Sequence, residues 1–327
     1  MDYTKLGATG LTVSIAGLGC GGNSRVGLGK GASDDEAVRL VRTALDEGIN
    51  FIDTAEAYGT EIVVGRAVAE AGRERAVIST KSRIRAAGGL LEPADVVVNL
   101  EASLRRLQTG HVDLFSLHAI TPDIYMYARD RVLPVLLRQV EAGKIRHIGI
   151  TESAPRDPRQ EMLRSAIADG SPWEVMMLAY SMVNFGADRD LLPSMQRKGI
   201  GSLLMYVVRN IFSNPEVLAR TLGELAAGGQ IAQDGAETER PLDFLVHANG
   251  AKSLTDAAYR FARHQSGADV ILFGTGDIGH LKENVRSILA APLPEEDVKK
   301  VRVMFCNLTG VGLDLPDSRR AKPVTGG

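Results

Sequence analysis

The chain has 327 residues, 44% hydrophobic and 24% charged, enough to bury one large core. Its net charge of −2 and its scattered lysines and arginines give no electrostatic ground for binding nucleic acid or an anionic membrane. The two cysteines, Cys20 and Cys306, form neither a disulfide framework nor a metal spacing; there is no apolar signal core at the N-terminus and no apolar run of the roughly 18 residues that span a membrane, so a soluble cytoplasmic protein without a bound metal is expected.

Short apolar, β-branched runs recur near 13–19, 49–53, 76–81, 112–118, 145–150, 174–179, 201–206 and 269–273. Near-continuous runs of this kind suit strands buried on both faces. The spacers between them carry helical signals. Ser33-Asp34-Asp35-Glu36 reads as a capping box opening a helix over Ala37–Glu47, which Gly48 stops. Asp95–Leu107 places Val97, Leu100, Leu104 and Leu107 on one helical face, and Val132–Glu141 forms a helix ending at Gly143. Strands alternating with helices imply a parallel sheet. Eight of them predict an α/β protein built as a closed (β/α)8 TIM barrel rather than an open doubly wound sheet.

No Pro/Gly/Ser linker divides the chain, so residues 1–327 are expected to form one domain. Ser213–Gly250, with Gly228-Gly229 and the polar run Gln233–Glu239, predicts a long loop after the seventh strand. The tail Ala321–Gly327 has the composition of a disordered terminus. Gly17-Leu18-Gly19-Cys20-Gly21-Gly22 matches G-x-G-x-x-G, but a dinucleotide fingerprint needs its helix to open at those glycines. Here the next helix starts only at Ser33, so the glycines are expected to make a tight βα turn that lets backbone approach a ligand.

Four residues at or just beyond successive strand ends carry the chemistry. Asp53 closes Ile49–Asp53, and Tyr58 follows in Thr54-Ala55-Glu56-Ala57-Tyr58-Gly59. Lys81 closes Ala76–Lys81, and His118 closes Val112–His118. In a parallel barrel these ends form the active-site rim. Tyr58 is the natural acid, but a phenol is a poor donor at neutral pH unless its phenolate is stabilised. The ammonium of Lys81 favours the ionised phenol, whereas burial alone opposes it. Asp53 would hold Lys81 charged, and His118 would offer a hydrogen bond to a substrate oxygen. An ion pair, a rim tyrosine or a core histidine would each be ordinary alone. Their arrival together at one rim points to proton transfer. None of the four supplies a hydride, so a redox role needs a cofactor.

These segments resemble the aldo-keto reductase family. Lys5–Ser14 resembles its N-terminal hairpin and first strand, and Phe51–Gly59 its most specific signature. Ser103–Gln108 through Val112–Leu114 to His118 is similar to its central block, and Gly143–Ile150 to its fifth-strand block. The resemblance implies a barrel with an N-terminal β-hairpin. It implies NADP(H), with NAD(H) possible, extended across the C-terminal rim. Hydride would pass between nicotinamide and a small-molecule carbonyl or alcohol, an aldehyde, ketone or sugar, with the proton from Tyr58. Lys81 and Asp53 would tune that acid and His118 orient the substrate. Tyr206 would stack on the nicotinamide, and Glu283 and Asn284 would read the adenine. The remaining cofactor positions implied are Gly19, Cys20, Gly21, Thr151, Glu152, Met177, Val207, Arg209, Phe273, Gly274, Thr275, Gly276 and His280.

The chain departs from the family on the cofactor side. Thr151-Glu152 stands where Ser-Asn is usual, and Met177 takes the Gln or Asn position three before Tyr180. Methionine cannot donate a hydrogen bond, and an ionised glutamate only accepts. Val207-Val208-Arg209 replaces Ser-Pro-Leu, with the Arg209 fork in place of a hydroxyl. Gly274 and His280 occupy positions that often hold basic or amide side chains, and Asp277 would repel a 2′-phosphate. Backbone N–H groups and the following helix N-terminus are the alternative phosphate ligands. For the substrate, Ile120, Pro122, Tyr125, Met126 and Tyr127 in the loop Ala119–Arg129 read as an apolar wall, with Arg209–Gly250 the other specificity loop. A cofactor-sensing regulatory barrel with little turnover is the alternative function. A Schiff-base lyase using Lys81 is a third, opposed by Asp53, since a paired lysine stays protonated.

Overall fold

The computed structural model describes residues 1–208, 210–231 and 240–308. The chain opens with an antiparallel hairpin, β1 (Tyr3–Lys5) and β2 (Thr12–Ser14), in which Thr4 pairs with Val13. The barrel strands follow as β3 (Ala16–Gly19), β4 (Phe51–Asp53) and β5 (Val77–Ser82). A small rim hairpin, β6 (Arg85–Ala86) and β7 (Gly89–Leu90), precedes β8 (Val112–Ile120) and β9 (Ile145–Glu152). β10 (Val175–Ala179), β11 (Gly201–Met205) and β12 (Val270–Phe273) complete the set. The eight barrel strands are all parallel and β12 pairs with β3, so the sheet closes.

Helices α1 (Asp34–Asp46), α2 (Glu61–Ala71), α3 (Pro93–Leu107), α4 (Pro122–Tyr127), α5 (Leu133–Glu141) and α6 (Glu161–Ala168) alternate with the strands. They are followed by α7 (Leu191–Lys198), α8 (Pro215–Ala227), α9 (Leu254–Arg263), α10 (Ile278–Ile288) and α11 (Glu295–Phe305). This is the (β/α)8 architecture expected from the strand count. The Ser33–Glu36 capping box is present: the Ser33 side chain accepts from the Glu36 N–H, and the Glu36 carboxylate accepts from the Ser33 N–H at 2.8 Å. Among the described residues no helix is long and apolar enough to cross a membrane, and no cluster of His, Cys, Asp or Glu is arranged to hold a metal.

Three local expectations need correction. The apolar run 13–19 is not one strand. Ser14 breaks it: its N–H donates to Asn50 Oδ1 and its hydroxyl to the Ala16 carbonyl. These bonds turn the chain from the hairpin into the barrel wall. On α3 the buried position is Val96, with Val97 only half-buried. The segment after β11 is not simply a loop, because α8 fills its first third; Asn214 caps it by accepting from the Val217 N–H, with Pro215 in the first turn. That Asn-Pro signal was legible and outweighs the low periodicity downstream. Gln233–Glu239 and the tail Ala321–Gly327 lie outside the described residues.

Side-chain alternation sorts the barrel into two cores. Phe51, Leu114, Val175, Met177, Leu203 and Val270 point inward, where Leu6 and Val13 of the hairpin region join them. A Cβ on Gly201, at the start of β11, would lie 2.8 Å from the Leu6 side chain, so the hairpin plugs the N-terminal end. The outer core packs strands against helices through residues such as Ile78, Phe115, Ile148 and Leu204. Near the plugged end, buried Asp113 staples three strands. It accepts from Arg73 Nη2 at 2.6 Å, from the Ile78 N–H at 2.8 Å and from Arg146 Nη1 at 2.8 Å. Asp113→Ala leaves the buried Ile78 N–H without its acceptor and removes the bonds from Arg73 and Arg146, and is expected to cost about 2 kcal/mol of stability. Urea unfolding of the variant against the wild type measures it.

Candidate active site

The C-terminal ends of the strands make the opposite, open mouth. On β5, Ser79 and Lys81 face inward, whereas Thr80 and Ser82 face the helices and bond Glu61 and Asn99. Lys81 and Asp53 are therefore inward neighbours on adjacent strands, and the barrel brings their charges together at 2.7 Å. Lys81 is completely buried. Its Nζ donates to Asp53 Oδ2 and to the Thr54 carbonyl, both at 2.7 Å. The Ser79 hydroxyl donates to Asp53 Oδ1 at 2.8 Å. Both carboxylate oxygens are thus engaged, and one of the three ammonium donors is left for the phenol side.

Tyr58 sits on a short 3-10 turn, Glu56–Tyr58, beyond β4. Its ring centroid lies 5.1 Å from Lys81 Nζ. Its hydroxyl lies 3.3 Å from His118 Nε2, with the two rings edge to face at 86°. The four sequence-predicted residues therefore converge. Ser79 and the Thr54 carbonyl were missed; Ser79 is two positions before Lys81, which is the strand period that would have found it.

The protonation states follow from burial. Burial opposes the Lys81 ammonium, but Asp53 and Tyr58, together with the hydrogen bond to Asp53, outweigh it and raise its pKa. Burial also raises the Tyr58 phenol above its ordinary value; Lys81 pulls it down, but Asp53 and Tyr206 push with the burial. Lys81 therefore does not lower the phenol below its ordinary value in this state, and Tyr58 holds its proton at neutral pH. His118 is pushed down to about 3, first by burial and then by the charges of Lys81 and Arg83. Its imidazole is neutral, and its buried Nδ1 has no partner among the described residues.

The glycine turn after β3 serves this site directly. A Cβ on Gly21 would come within 2.6 Å of Tyr58 Cε2, so Gly21 makes room for the Tyr58 ring. Cys20 is buried, and its N–H donates to the Asp53 carbonyl at 2.8 Å. Burial raises the pKa of its thiol. A 3-10 helix, Arg25–Lys30, separates these glycines from α1, as expected of a turn that is not a dinucleotide fingerprint.

The cofactor-side residues divide into two groups. Gly19, Cys20 and Gly21 meet the loop after β12, where a Cβ on Gly274 would lie 3.3 Å from the Gly19 carbonyl and one on Gly276 2.8 Å from Gly27 Cα. Phe273 and Thr275 are buried beneath that loop, as is Val207 at the end of β11. Tyr206 is 38% exposed on a left-handed backbone at φ 64°, near enough to Tyr58 to act on its phenol. Thr151 faces inward, and its hydroxyl accepts from the Ala119 N–H at 2.7 Å. His280 and Glu283 are exposed on α10 and Asn284 is half-buried. Arg209 lies outside the described residues.

Glu152 and Met177 form the second group. Glu152 faces away from the barrel axis, and its Oε1 accepts from the Ala179 N–H at 2.5 Å and from Gln160 Nε2 at 3.2 Å. Met177 packs in the apolar interior with Leu114 and Leu203. Met177 has no donor to offer, and Glu152 Oε2 is buried without a partner among the described residues. The expected aromatic wall is also drawn aside. The Tyr125 hydroxyl donates to Asp169 at 2.7 Å and that of Tyr127 to the Leu91 carbonyl at 2.8 Å.

The family model "Aldo/keto reductase family" matches residues 17–304. The chain belongs to the aldo/keto reductase family. It is therefore an oxidoreductase of the NAD(P)H-dependent kind. It is 27% identical to aldo-keto reductase YhdN of Bacillus subtilis (strain 168), over 94% of each chain. The crystal structure of the thermostable aldo-keto reductase Tm1743 with the inhibitor epalrestat superposes with a TM-score of 0.68 at 26% identity, covering 92% of this chain and 98% of that one. The holo form of aldo-keto reductase AKR11C1 from Bacillus halodurans shares the fold, with a TM-score of 0.70 at 22% identity over 98% of this chain and 100% of that one.

Two outcomes follow for this aldo-keto reductase. Gly21→Ala should displace the Tyr58 ring and lower kcat roughly 10²-fold, with the unfolding midpoint nearly unchanged. Glu152 is pushed by burial from 4.5 up to about 8, so the folded protein keeps this proton where the unfolded chain loses it. That contribution to stability is complete below pH 4.5 and lost as pH rises through about 8. Glu152→Gln should therefore gain stability relative to wild type as pH rises from 5 to 9, read from urea unfolding at each pH.

Proposed function

We propose that the protein reduces a small carbonyl compound to its alcohol, with Tyr58 as proton donor. The observation that carries this is the buried Lys81 ammonium beneath the Tyr58 ring, fixed by Asp53 and the Thr54 carbonyl. The exposed face of Tyr206 and the glycine cradle where Gly274 meets Gly19 fit a dinucleotide laid across the rim. When bound, NAD(P)H supplies the hydride.

The protein's own residues supply the rest. A substrate oxygen between the Tyr58 hydroxyl and His118 Nε2 accepts from both, with the neutral imidazole donating. As negative charge develops on that oxygen, Tyr58 releases its proton to it. The phenolate left behind is stabilised by Lys81, whose charge Asp53 maintains. Tyr206 would stack on the nicotinamide, and the Thr151 hydroxyl, on the inner face, is the polar group nearest in kind to the missing carboxamide clamp.

The family generally uses NADP(H), which is the cofactor we propose. A second reading, NAD(H), is favoured by the start of α10. There the Asp277 carboxylate already caps the helix, accepting from the His280 N–H at 2.8 Å, and Lys282 is paired with Glu47 at 3.0 Å. Titrating NADPH and NADH in parallel against the apoprotein decides between them by the ratio of dissociation constants. Tyr58→Phe should lower kcat for carbonyl reduction by about 10²–10⁴-fold and leave cofactor affinity nearly intact. Reduction persisting at the wild-type rate would remove Tyr58 from the role.

A further inference from the structure

One charged side chain beside the acid has no use in the chemistry described so far. Arg83 follows β5 directly. The strand's alternation puts Ser79 and Lys81 on the inner face and Thr80 and Ser82 on the outer. Arg83 is the first residue beyond that strand end, and its charge reaches His118. Its position relative to the acid is held by the backbone. The Arg83 N–H donates to Glu56 Oε1 at 2.8 Å, and the Ser82 hydroxyl to the same oxygen at 3.0 Å. Glu56 begins the turn that carries Tyr58.

The guanidinium is exposed and forms no ion pair or hydrogen bond with a described residue. Its neighbours differ: Arg85 is paired with Asp123 at 2.6 Å and Arg106 with Glu61 at 2.6 Å. The charge of Arg83 is felt at His118, where it helps depress the imidazole pKa. On the other side of Tyr58, Arg25 donates Nη1 to the Tyr58 carbonyl at 3.4 Å. Arg25 and Val26 are held there at φ 42° and 52°, left-handed values that cost energy for side chains of their kind. Two guanidinium groups, Arg25 and Arg83, thus stand near the acid, and the Glu56 carboxylate there is bonded by the Arg83 N–H and the Ser82 hydroxyl rather than by either guanidinium. An unclaimed guanidinium beside the acid suits an anion, which Arg binds as a fork.

We propose that Arg83 anchors an anionic group of the substrate, so that the preferred substrates are carbonyl compounds bearing a carboxylate or phosphate. Arg83 acts in this way only if the protein reduces carbonyls with Tyr58 as donor, as proposed above. The test compares benzaldehyde with 3-carboxybenzaldehyde, 4-carboxybenzaldehyde and 4-formylphenyl phosphate. Each is assayed with NADPH and NADH on wild type, Arg83→Gln, Arg83→Lys and Arg85→Gln. The expected result is a kcat/KM ratio of roughly 10–100 in favour of at least one anionic aldehyde. That ratio should fall to about one in Arg83→Gln through KM rather than kcat, recover in part in Arg83→Lys and persist in Arg85→Gln. The better of the carboxylate and phosphate compounds identifies the group. A wild-type ratio of one or less, or a ratio that Arg83→Gln leaves unchanged, overturns the anchor while carbonyl reduction stands. No reduction of any of the four overturns the proposed function, and the anchor with it.

Discussion

Everything at the mouth depends on one buried charge. Lys81 is fully enclosed, and an isolated ammonium in that position would lose its proton to avoid the cost of desolvation. Asp53 prevents this at 2.7 Å, and Ser79 takes up the other carboxylate oxygen so that the pair is fully hydrogen-bonded. Such a pair stabilises a fold weakly, because the desolvation of both ions offsets their attraction. Its value is positional. It delivers a fixed positive charge to the underside of the Tyr58 ring, where phenolate charge would form. A nucleophilic lysine would need to be neutral, so the same contact argues against Schiff-base chemistry.

The barrel makes this arrangement possible through strand register. Asp53 pairs with Ser79 across β4 and β5, and Lys81 pairs with Ser116 across β5 and β8. Two residues further along, His118 stands on the same inner face as Ser116. Three adjacent strands thus present carboxylate, ammonium and imidazole at rising heights, while the outer faces of those strands pack on helices. The hairpin plug at the other end, with Leu6 and Val13 inside, leaves the interior apolar and dry beneath the pair. A dry floor strengthens the attraction between the pair and the field it exerts on Tyr58.

The fold was legible because it is written in local signals. Eight β-branched runs, the capping box at Ser33 and the glycines that stop helices each act over a few residues, and they agree. The convergence of Asp53, Tyr58, Lys81 and His118 was legible for a related reason: strand ends are visible in sequence, and a parallel barrel gathers its strand ends. Glu152 and Met177 were less so. A motif gives a residue's place along a strand, but one step of register decides its face. Glu152 falls on the outer face, where the Ala179 N–H and Gln160 both bond its Oε1 and leave Oε2 buried and unpartnered. The altered clamp positions had been the ground for a cofactor-sensing barrel with little turnover. With one outside the mouth and the other an apolar floor, they say nothing about turnover. Tyr125 shows the same blindness: its aromatic character was plain, but the hydrogen bond to Asp169 that draws it aside spans 44 residues of sequence.

The protonation states complete the argument about how the site works. The phenol is pushed up and the imidazole down to about 3, so at neutral pH the mouth holds a protonated phenol beside an uncharged imidazole. Titratable groups driven apart by their surroundings mark the division of acid and base roles. On the proposed reading His118, being neutral, donates a hydrogen bond and leaves the acid's role to Tyr58. In the resting site Lys81 does not overcome the burial of Tyr58. It acts against that burial by attracting the phenolate, so without Lys81 the phenol would be pushed up further still.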